Sequence, residues 1–202
     1  MIILHIQIPN LPCRVGKANF MKEGNMSSRI VFRYGENIDL CVLNQTRHFD
    51  KCWEWVNDPE VNRYMLLGVS PVSHEEERNF FESSAQNSSM VNFAVETKSG
   101  EYLGNVGLSQ IDRQNGIAEL GIMLGNKEFW GNGYGSEAER LTIEYGFYTL
   151  GLSKIYARVI AKNTGSVKAA IKAGMHQEAT LKEHFFREGE RLDVVILSIF
   201  NY

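Results

Sequence analysis

The chain has 202 residues, of which 44% are hydrophobic and 22% are charged, and this composition is typical of one globular domain with a single core. Its formal net charge of −3 excludes the basic footprint of a nucleic-acid-binding domain. The apolar runs in the sequence fall short of the roughly 20 residues that cross a bilayer. We therefore expect neither nucleic acid nor a membrane among its partners.

The three cysteines, Cys13, Cys41 and Cys52, are odd in number and follow no metal-binding or redox spacing. Buried thiols in a reducing compartment are the interpretation that fits this pattern best. The sequence therefore predicts a cytoplasmic protein without a bound metal.

Residues 1–28 differ from the rest of the chain. Pro9 and Pro12 interrupt the apolar start, and a loose stretch rich in lysine, glycine and serine follows. The segment lacks the basic start of a secretory signal. We predict an accessory arm or linker over residues 1–28, or an extension of the true start, since Met21 and Met26 are also plausible starts. The folded domain is expected over residues 29–202.

After the arm, the pattern predicts one strand and then helices. Apolar and polar residues alternate over residues 37–43, which favours a strand with one buried face. Thr46 is expected to cap a helix that ends before Pro59. Ser73 and Glu76 form a capping box that begins another helix. The expected inward residues of the strand and the first helix are Ile38, Leu40, Val42, Phe49, Trp53 and Val56.

The second half alternates between strand and helix patterns. Three strands are predicted at residues 91–95, 103–111 and 117–124, with a hairpin turn at 113–116. A helix begins near Tyr134, and a strand at 154–161 leads into a short helix that Gly174 stops. A hairpin around residues 187–190 closes the chain. This order predicts a single α+β domain with a mixed, mostly antiparallel sheet and helices on both faces. One face of the long helix is expected to hold Tyr134, Ala138, Leu141, Tyr145 and Tyr148.

The segment 128–137 carries glycines at 131, 133 and 135 between a strand and a helix. Glycine allows tight turns and brings bare N–H groups close to an anion, and the helix begins at the same point. A nucleotide P-loop requires a lysine here, but Glu137 follows Ser136. A dinucleotide-binding turn requires an acidic residue after the next strand, where Lys162 and Asn163 stand. A phosphate site and a turn that needs glycine only for its dihedral angles both remain open.

With these elements in order, the chain resembles the Gcn5-related N-acetyltransferase (GNAT) superfamily. Within it, the chain is most similar to ribosomal-protein N-terminal acetyltransferases and spermidine N-acetyltransferases. The resemblance covers about residues 37–200. Trp130 stands where the family's phosphate loop has Arg or Gln, and members of this branch often carry that Trp. The segments that carry the resemblance are 57–61, 118–121, 129–138, 163–166 and 172–175.

The resemblance implies acetyl-CoA as co-substrate and no metal. The strands before and after the glycine loop should splay apart, so that the pantetheine arm of CoA pairs with strand backbone between them. A backbone N–H near residues 123–124 would then stabilise the oxyanion. The residues implied to bind the cofactor are Met123, Leu124, Trp130, Gly131, Asn132, Gly133, Tyr134, Gly135, Ser136 and Asn163.

Acetyl transfer to an amine requires a neutral amine and a proton for the leaving thiolate. Glu119 resembles the family's base, acting directly or through a water, although a surface carboxylate on a polar strand face is the alternative. Ala170 stands where many relatives have an acidic Tyr, and Ser166 resembles the Ser that ribosomal-protein acetyltransferases place near the sulfur. A helix first-turn residue is the alternative for Ser166. Asn163 is also a good N-cap.

The acceptor is the least defined part of the site. Trp53, Trp55, Tyr64 and Met65 are candidates for an acceptor cleft, although Trp53 also fits the core, and His184 fits an ordinary surface position. We expect direct attack in a ternary complex, with a protein N-terminal amine as acceptor. A polyamine, an amino sugar or a non-catalytic acyl-CoA-binding role are the alternatives, and a homodimer is left open.

Overall fold

The computed structural model describes residues 28–65 and 70–202. The predicted arm therefore lies outside the described residues, except for Ser28. Eight strands are described: β1 Val31–Tyr34, β2 Ile38–Val42, β3 Val91–Thr97, β4 Tyr102–Asp112, β5 Ile117–Leu124, β6 Lys154–Ile160, β7 His176–Arg187 and β8 Glu190–Phe200. The helices are α1 Gln45–Val56, α2 Pro59–Asn62, α3 His74–Gln86, α4 Tyr134–Tyr148 and α5 Thr164–Lys172, and a 3₁₀ turn spans Lys127–Phe129.

The strands form one sheet in the order β1-β2-β3-β4-β5-β6-β8-β7. Neighbouring strands are antiparallel except for β5 and β6, which are parallel. This confirms the predicted α+β fold with a mixed, mostly antiparallel sheet. β1 is an addition to the predicted order, because a strand of four residues is too short to show a period.

Helices cover both faces of the sheet, as predicted. Ala118 and Leu120 of β5 pack with Ile143 and Phe147 of α4. Met123 of the same strand packs on the opposite side, in a cluster with side chains of α1 and α3. Successive strand residues point to opposite faces, so α4 lies on one side of the sheet and α1 and α3 lie on the other.

The pairing between β5 and β6 is short. It consists of Ile117 with Lys154, Ala118 with Ile155 and Glu119 with Tyr156. Beyond these pairs both strands continue without pairing to each other, so they diverge toward their carboxyl ends. The splay that the family resemblance implied is therefore present.

Two predicted features of the first strand and helix are wrong. Val42 is 44% exposed. Asp39 and Cys41 are instead buried, because β2 is covered on both faces and Asp39 pairs with Arg29 and Lys98. Asn44, not Thr46, caps α1 by accepting a hydrogen bond from the backbone of the first turn. The cysteine prediction is confirmed for Cys41 and Cys52, which are buried and unpaired, while Cys13 lies outside the described residues.

The buried face of α1 is also rotated relative to the prediction. In α1 the buried residues are His48, Phe49 and Cys52, and Trp53 is 36% exposed. The predicted face of α4 is confirmed for Ala138 and Leu141, which are buried, and for Tyr134 and Tyr145, which pack against them, whereas Tyr148 is 69% exposed. The predicted capping box of α3 is confirmed.

A buried carboxylate joins β3 to α1. Glu96 is fully buried and pairs with Arg29 at 2.8 Å, Arg47 at 3.0 Å and His48 at 2.9 Å. Burial opposes ionisation of Glu96, but hydrogen bonds from His48, Arg47 and Arg29 outweigh it and lower its pKa to about 2. The cluster fixes α1 against the half of the sheet that lies away from β6.

The buried carboxyl group of Glu139, in α4, should make the free energy of unfolding depend on pH. Its side chain is buried, and its Oε2 has no hydrogen-bond partner among the described residues. Burial raises the pKa of Glu139 from 4.5 to about 8. The native state therefore holds the proton more tightly, and this stabilisation is full below about pH 4.5 and is lost as the pH rises through about 8.

From pH 5 to pH 9 the free energy of unfolding should decrease less in Glu139→Gln than in wild type. We expect the two decreases to differ by an amount on the order of a few kcal/mol. Urea melts across this range measure the effect. Glu82→Gln, which removes an exposed carboxylate from α3, is the matched control. Equal pH slopes for wild type and Glu139→Gln would contradict the assignment.

We also predict that deleting residues 1–28 leaves the melting temperature and turnover nearly unchanged, because their sequence lacks the periodicity of the domain. Thermal melts and acetyl-transfer rates of both chains test this. A large loss of stability would mean that the arm packs against the domain or a second subunit.

Candidate functional site

The opening between β5 and β6 has a loop at each carboxyl end. The glycine loop follows β5, and Asn163 follows β6. Because the two strands are parallel, both loops lie at the same edge of the sheet, where open α/β sheets commonly bind ligands. The structure thus brings together the segments 129–136 and 163–166 that the sequence marked separately.

The glycine loop has the backbone geometry that its sequence predicts. Gly131 has a φ of 80° and Gly133 a φ of 85°, which are left-handed conformations that favour glycine. Gly133 is the N-cap of α4 and provides no side-chain cap, so N–H groups of the first turn remain available to a ligand. A Cβ on Gly131 would meet no atom within 4 Å, so the loop is open to an incoming group there.

The loop lies between the end of β5 and helix α5. A Cβ on Gly135 would lie 3.4 Å from Leu124 and 3.9 Å from Ala169, and one on Gly133 would lie 3.3 Å from Lys172 Nζ. A cavity of about 200 Å³ borders the loop. Its lining residues are Glu36, Asn37, Asn132, Gly133, Ser136, Glu137, Arg140 and Lys172.

Glu137 and Trp130 fix the loop to its surroundings. The Glu137 carboxylate accepts hydrogen bonds from the backbone N–H groups of Glu36 and Asn37, which tie the β1–β2 turn to the start of α4. The indole Nε1 of Trp130 donates to the Leu124 carbonyl at 2.8 Å. Trp130 therefore holds the loop against the last residue of β5, while 40% of the residue stays exposed.

The backbone of β5 alternates between its two neighbours. The Gly125 N–H bonds to Leu103 of β4, and a Cβ on Gly104 of β4 would overlap the Met123 carbonyl. Met123 thus directs its backbone groups toward β4 rather than toward the opening. By the same alternation, Ile122 and Leu124 face the opening. Ile122 was missed in the sequence, because strand register decides which residues face the gap.

Glu119 lies at the last residue pair before the strands diverge. Its carboxylate is nearly buried and accepts from Arg158 Nε at 2.7 Å and Arg158 Nη2 at 3.1 Å. Gln110 Nε2 donates to Glu119 Oε2 at 2.6 Å. Burial and then the charge of Glu119 raise the pKa of neighbouring Tyr156, and hydrogen bonding to Glu119 raises the pKa of Arg158. The simple surface alternative for Glu119 is wrong, because this carboxylate is paired at the vertex of the opening.

Arg158, Gln110 and Tyr156 were not predicted as site residues. Strand alternation places Arg158 on the same face as Tyr156, but only the register of β5 with β6 brings either of them to Glu119. Gln110 reaches the carboxylate from β4, where it has a positive φ of 51° and the pairing with β5 is irregular. An irregularity of this kind leaves no signal in the sequence.

Asn163 and Ser166 open helix α5 at the other carboxyl end. Asn163 is confirmed as the N-cap, since its side chain accepts from the Ser166 N–H at 3.2 Å. The Ser166 hydroxyl is half-buried and makes no hydrogen bond with the described residues. Ala170, one turn further on, is fully buried and supplies no proton.

The four residues predicted for the acceptor cleft fall into two places. Tyr64 packs with Ile160 and Val194 near β6 and β8, and Arg187 holds the adjoining segment by donating to the Met65 carbonyl. Trp53 and Trp55 lie elsewhere: Trp53 donates to the Val72 carbonyl, and Trp55 packs over Gly125 and Tyr102 on the β4 side of β5. His184 is exposed at an irregular part of β7, as expected of a surface histidine.

The described residues, 28–65 and 70–202, contain neither a metal-binding cluster nor a membrane-spanning helix. No group of three His, Cys, Asp or Glu side chains among them is arranged to hold a metal ion. Within residues 28–65 and 70–202, none of the helices combines the length and apolar character of a membrane span.

Comparison with known proteins agrees with this geometry. The family model of the acetyltransferase (GNAT) domain matches residues 42–176. The uncharacterized N-acetyltransferase p20 of Bacillus licheniformis is 32% identical over 176 residues, which cover 86% of this chain and 93% of that protein. The spermidine N(1)-acetyltransferase of Escherichia coli K12 is 32% identical over 110 residues, which cover 54% of this chain and 58% of that enzyme.

Among solved structures, the spermidine N-acetyltransferase of Vibrio cholerae in complex with CoA and spermine is similar in fold. It superposes with a TM-score of 0.74 at 24% identity, over 81% of this chain and 95% of that one. The family match, the full-length relative and the shared fold lead to one conclusion. The chain belongs to the GNAT family and is an N-acetyltransferase.

Proposed function

We propose that the protein transfers the acetyl group of acetyl-CoA to a primary amine of a small molecule, by direct attack in a ternary complex. The observation that carries this proposal is the opening between β5 and β6, with the glycine loop and the uncapped start of α4 at its edge and Glu119 at its vertex. A paired carboxylate beside an unpaired strand edge suits the binding of an extended amide chain next to a proton acceptor.

The residues around the opening fit CoA. The N–H groups from Gly131 to Ser136 would hold the pyrophosphate at the start of α4. The N–H of Leu124 and the backbone of Ile122 would pair with the pantetheine amides, while the Leu124 carbonyl is occupied by Trp130. Ile122 is thus added to the residues proposed to bind the cofactor. Met123 is instead proposed to pack against the side chains of α1 and α3. Asn163 keeps its proposed contact with the pantetheine.

Acetyl-CoA supplies the acetyl group as a thioester. As the amine nitrogen bonds to the acetyl carbon and the carbon–sulfur bond breaks, the amine proton passes to Glu119, directly or through a water. Among the described residues, Oε1 of Glu119 accepts from one nitrogen and Oε2 from two, so Oε1 is the oxygen proposed to take the proton. Ser166 is proposed to donate a proton to the sulfur, because its hydroxyl has no competing bond among the described residues.

The comparisons with known proteins support the proposed class of acceptor, a small amine. Relatives and solved structures of similar fold are named as spermidine N-acetyltransferases, and one of them holds spermine. These names support a small amine better than the protein N-terminus that the sequence favoured. Family membership supports an enzyme over a non-catalytic acyl-CoA-binding module. A cytoplasmic location and a homodimer stay predictions.

The cofactor assignment predicts that Gly133→Asp weakens acetyl-CoA binding at least about 10-fold, because the new carboxylate would repel the pyrophosphate at the helix start. Calorimetry of the folded variant measures the dissociation constant. Gly151→Asp is the matched control, because Gly151 also has a positive φ, of 69°, with open space around it but lies in the α4–β6 loop. Unchanged acetyl-CoA affinity in Gly133→Asp, or an equal loss of affinity in both variants, would contradict the assignment of the loop as the pyrophosphate site.

The mechanism predicts different pH profiles for two variants. Glu119→Gln keeps the shape but removes the basic oxygen, so kcat/KM should fall by about 10²–10⁴-fold near neutral pH. Rising pH should partly rescue this variant, because more of the acceptor is then neutral. Ser166→Ala should lose turnover without alkaline rescue. Steady-state rates between pH 6 and pH 10, with acetyl-CoA affinity as control, test both roles, and identical profiles would show that the roles are misassigned.

A further inference from the structure

Arg158 is the cation nearest the proposed base. It follows Tyr156, the last residue of β6 that pairs with β5, by two positions, so it lies on the same face where the strands have begun to diverge. Its guanidinium approaches Glu119 with two nitrogens, Nε at 2.7 Å and Nη2 at 3.1 Å. The paired arrangement fixes the plane of the guanidinium in the opening.

The guanidinium keeps unused donors. Nη1 makes no hydrogen bond with the residues that the structure describes, and the Arg158 side chain is 39% exposed, against 10% for Glu119. Arginine does not deprotonate in proteins, so these N–H groups remain charged donors at every working pH. Arg158 thus presents a positive, planar donor edge to whatever binds beside Glu119.

The surroundings of Arg158 do not suit a polycation. On its other side Arg158 pairs with Ile196 of β8, which packs in the apolar cluster around Tyr64. The carboxylate of Glu119 is already paired with Arg158. A polyamine entering here would meet the guanidinium of Arg158, and like charges at close range repel.

A zwitterion matches the same pair of groups. In an α-amino acid, one carbon separates the amine from the carboxylate, so the amine can face Glu119 while the carboxylate faces Arg158. The third substituent of that carbon would then contact the partly buried side chains of this apolar cluster, Tyr64 and Ile196. Arginine recognises carboxylates with two parallel hydrogen bonds, which gives both energy and orientation.

We propose that Arg158 is the specificity-determining residue of the acceptor site and binds a carboxylate beside the reacting amine. The acceptor is then a small α-amino acid with an apolar side chain rather than a polyamine. The inference rests on the proposed acetyl transfer and narrows its acceptor. Glu119 has two tasks in this arrangement, since it receives the amine proton and holds Arg158 in place.

The test compares amino acids with amines that lack only the carboxylate. Phenylalanine is paired with phenethylamine and leucine with 3-methylbutylamine, and phenylalanine amide and spermidine complete the panel. With wild type, kcat/KM should favour each amino acid over its partner amine by about 10- to 100-fold, which is the range of a hydrogen bond between charged groups. Phenylalanine amide and spermidine should react more slowly than phenylalanine.

Arg158→Gln should bring the ratio within each pair close to 1. Any damage to Glu119 lowers both members of a pair, so the ratio reports the carboxylate contact alone. Differences in the pKa of the free amines also cancel when the ratio is compared between proteins. Arg113→Gln removes the same charge from the exposed β4–β5 turn and should leave the ratio unchanged.

Three results would overturn the inference. One is an unchanged ratio in Arg158→Gln, and the second is a rate with phenylalanine amide as high as with phenylalanine. The third is wild-type transfer to spermidine or phenethylamine without transfer to the amino acids, which would leave the proposed function standing. Calorimetric binding of acetyl-CoA with no transfer to any amine would overturn both proposals.

Discussion

Three residue pairs join β5 to β6, and beyond Glu119 and Tyr156 the strands separate. A sheet gains stability by pairing its backbone groups, so an interruption inside the sheet requires support from elsewhere. Here β5 stays paired with β4 and β6 stays paired with β8 along most of their lengths, so the two halves of the sheet hold their own edges apart. The unpaired edge, the glycine loop and the start of α5 all depend on this separation.

Two buried carboxylates of the sheet, Glu96 and Glu119, are paired in different surroundings. Glu96 is buried, pairs with Arg29 and Arg47 and is hydrogen-bonded to His48, and so it fixes α1 to β3. Glu119 is paired with a single arginine whose edge stays exposed, so its pair faces the opening. A buried pair that is fully surrounded resists change, whereas a pair with unused donors can take part in recognition.

The comparisons and the charges around Glu119 favour different kinds of acceptor. The names of several relatives point to polyamines, which carry only positive charge. The donor edge of Arg158 instead complements an anion beside the amine. A family fold sets where the acetyl group is delivered, but single side chains at the opening set which amine enters.

Much of this protein was readable from its sequence, because local patterns report local structure. Glycines at 131 and 133, the N-cap Asn163 and the capping box at Ser73 depend on neighbours a few residues away, and their prediction was right. The order of elements then indicated the family and the mostly antiparallel sheet. The wrong predictions concerned faces: Val42 and Trp53 are exposed, because periodicity shows that a segment has two faces but not what covers each one.

Only the tertiary structure decided what surrounds Glu119. Gln110 and Arg158 reach it from strands on either side, through a strand register and an irregularity that no single segment records. The register likewise decided that Ile122 and Leu124 face the opening while Met123 faces β4. The physical reason is that a one-residue shift between strands reverses the direction of every side chain and backbone group, and only contacts between distant segments select one register.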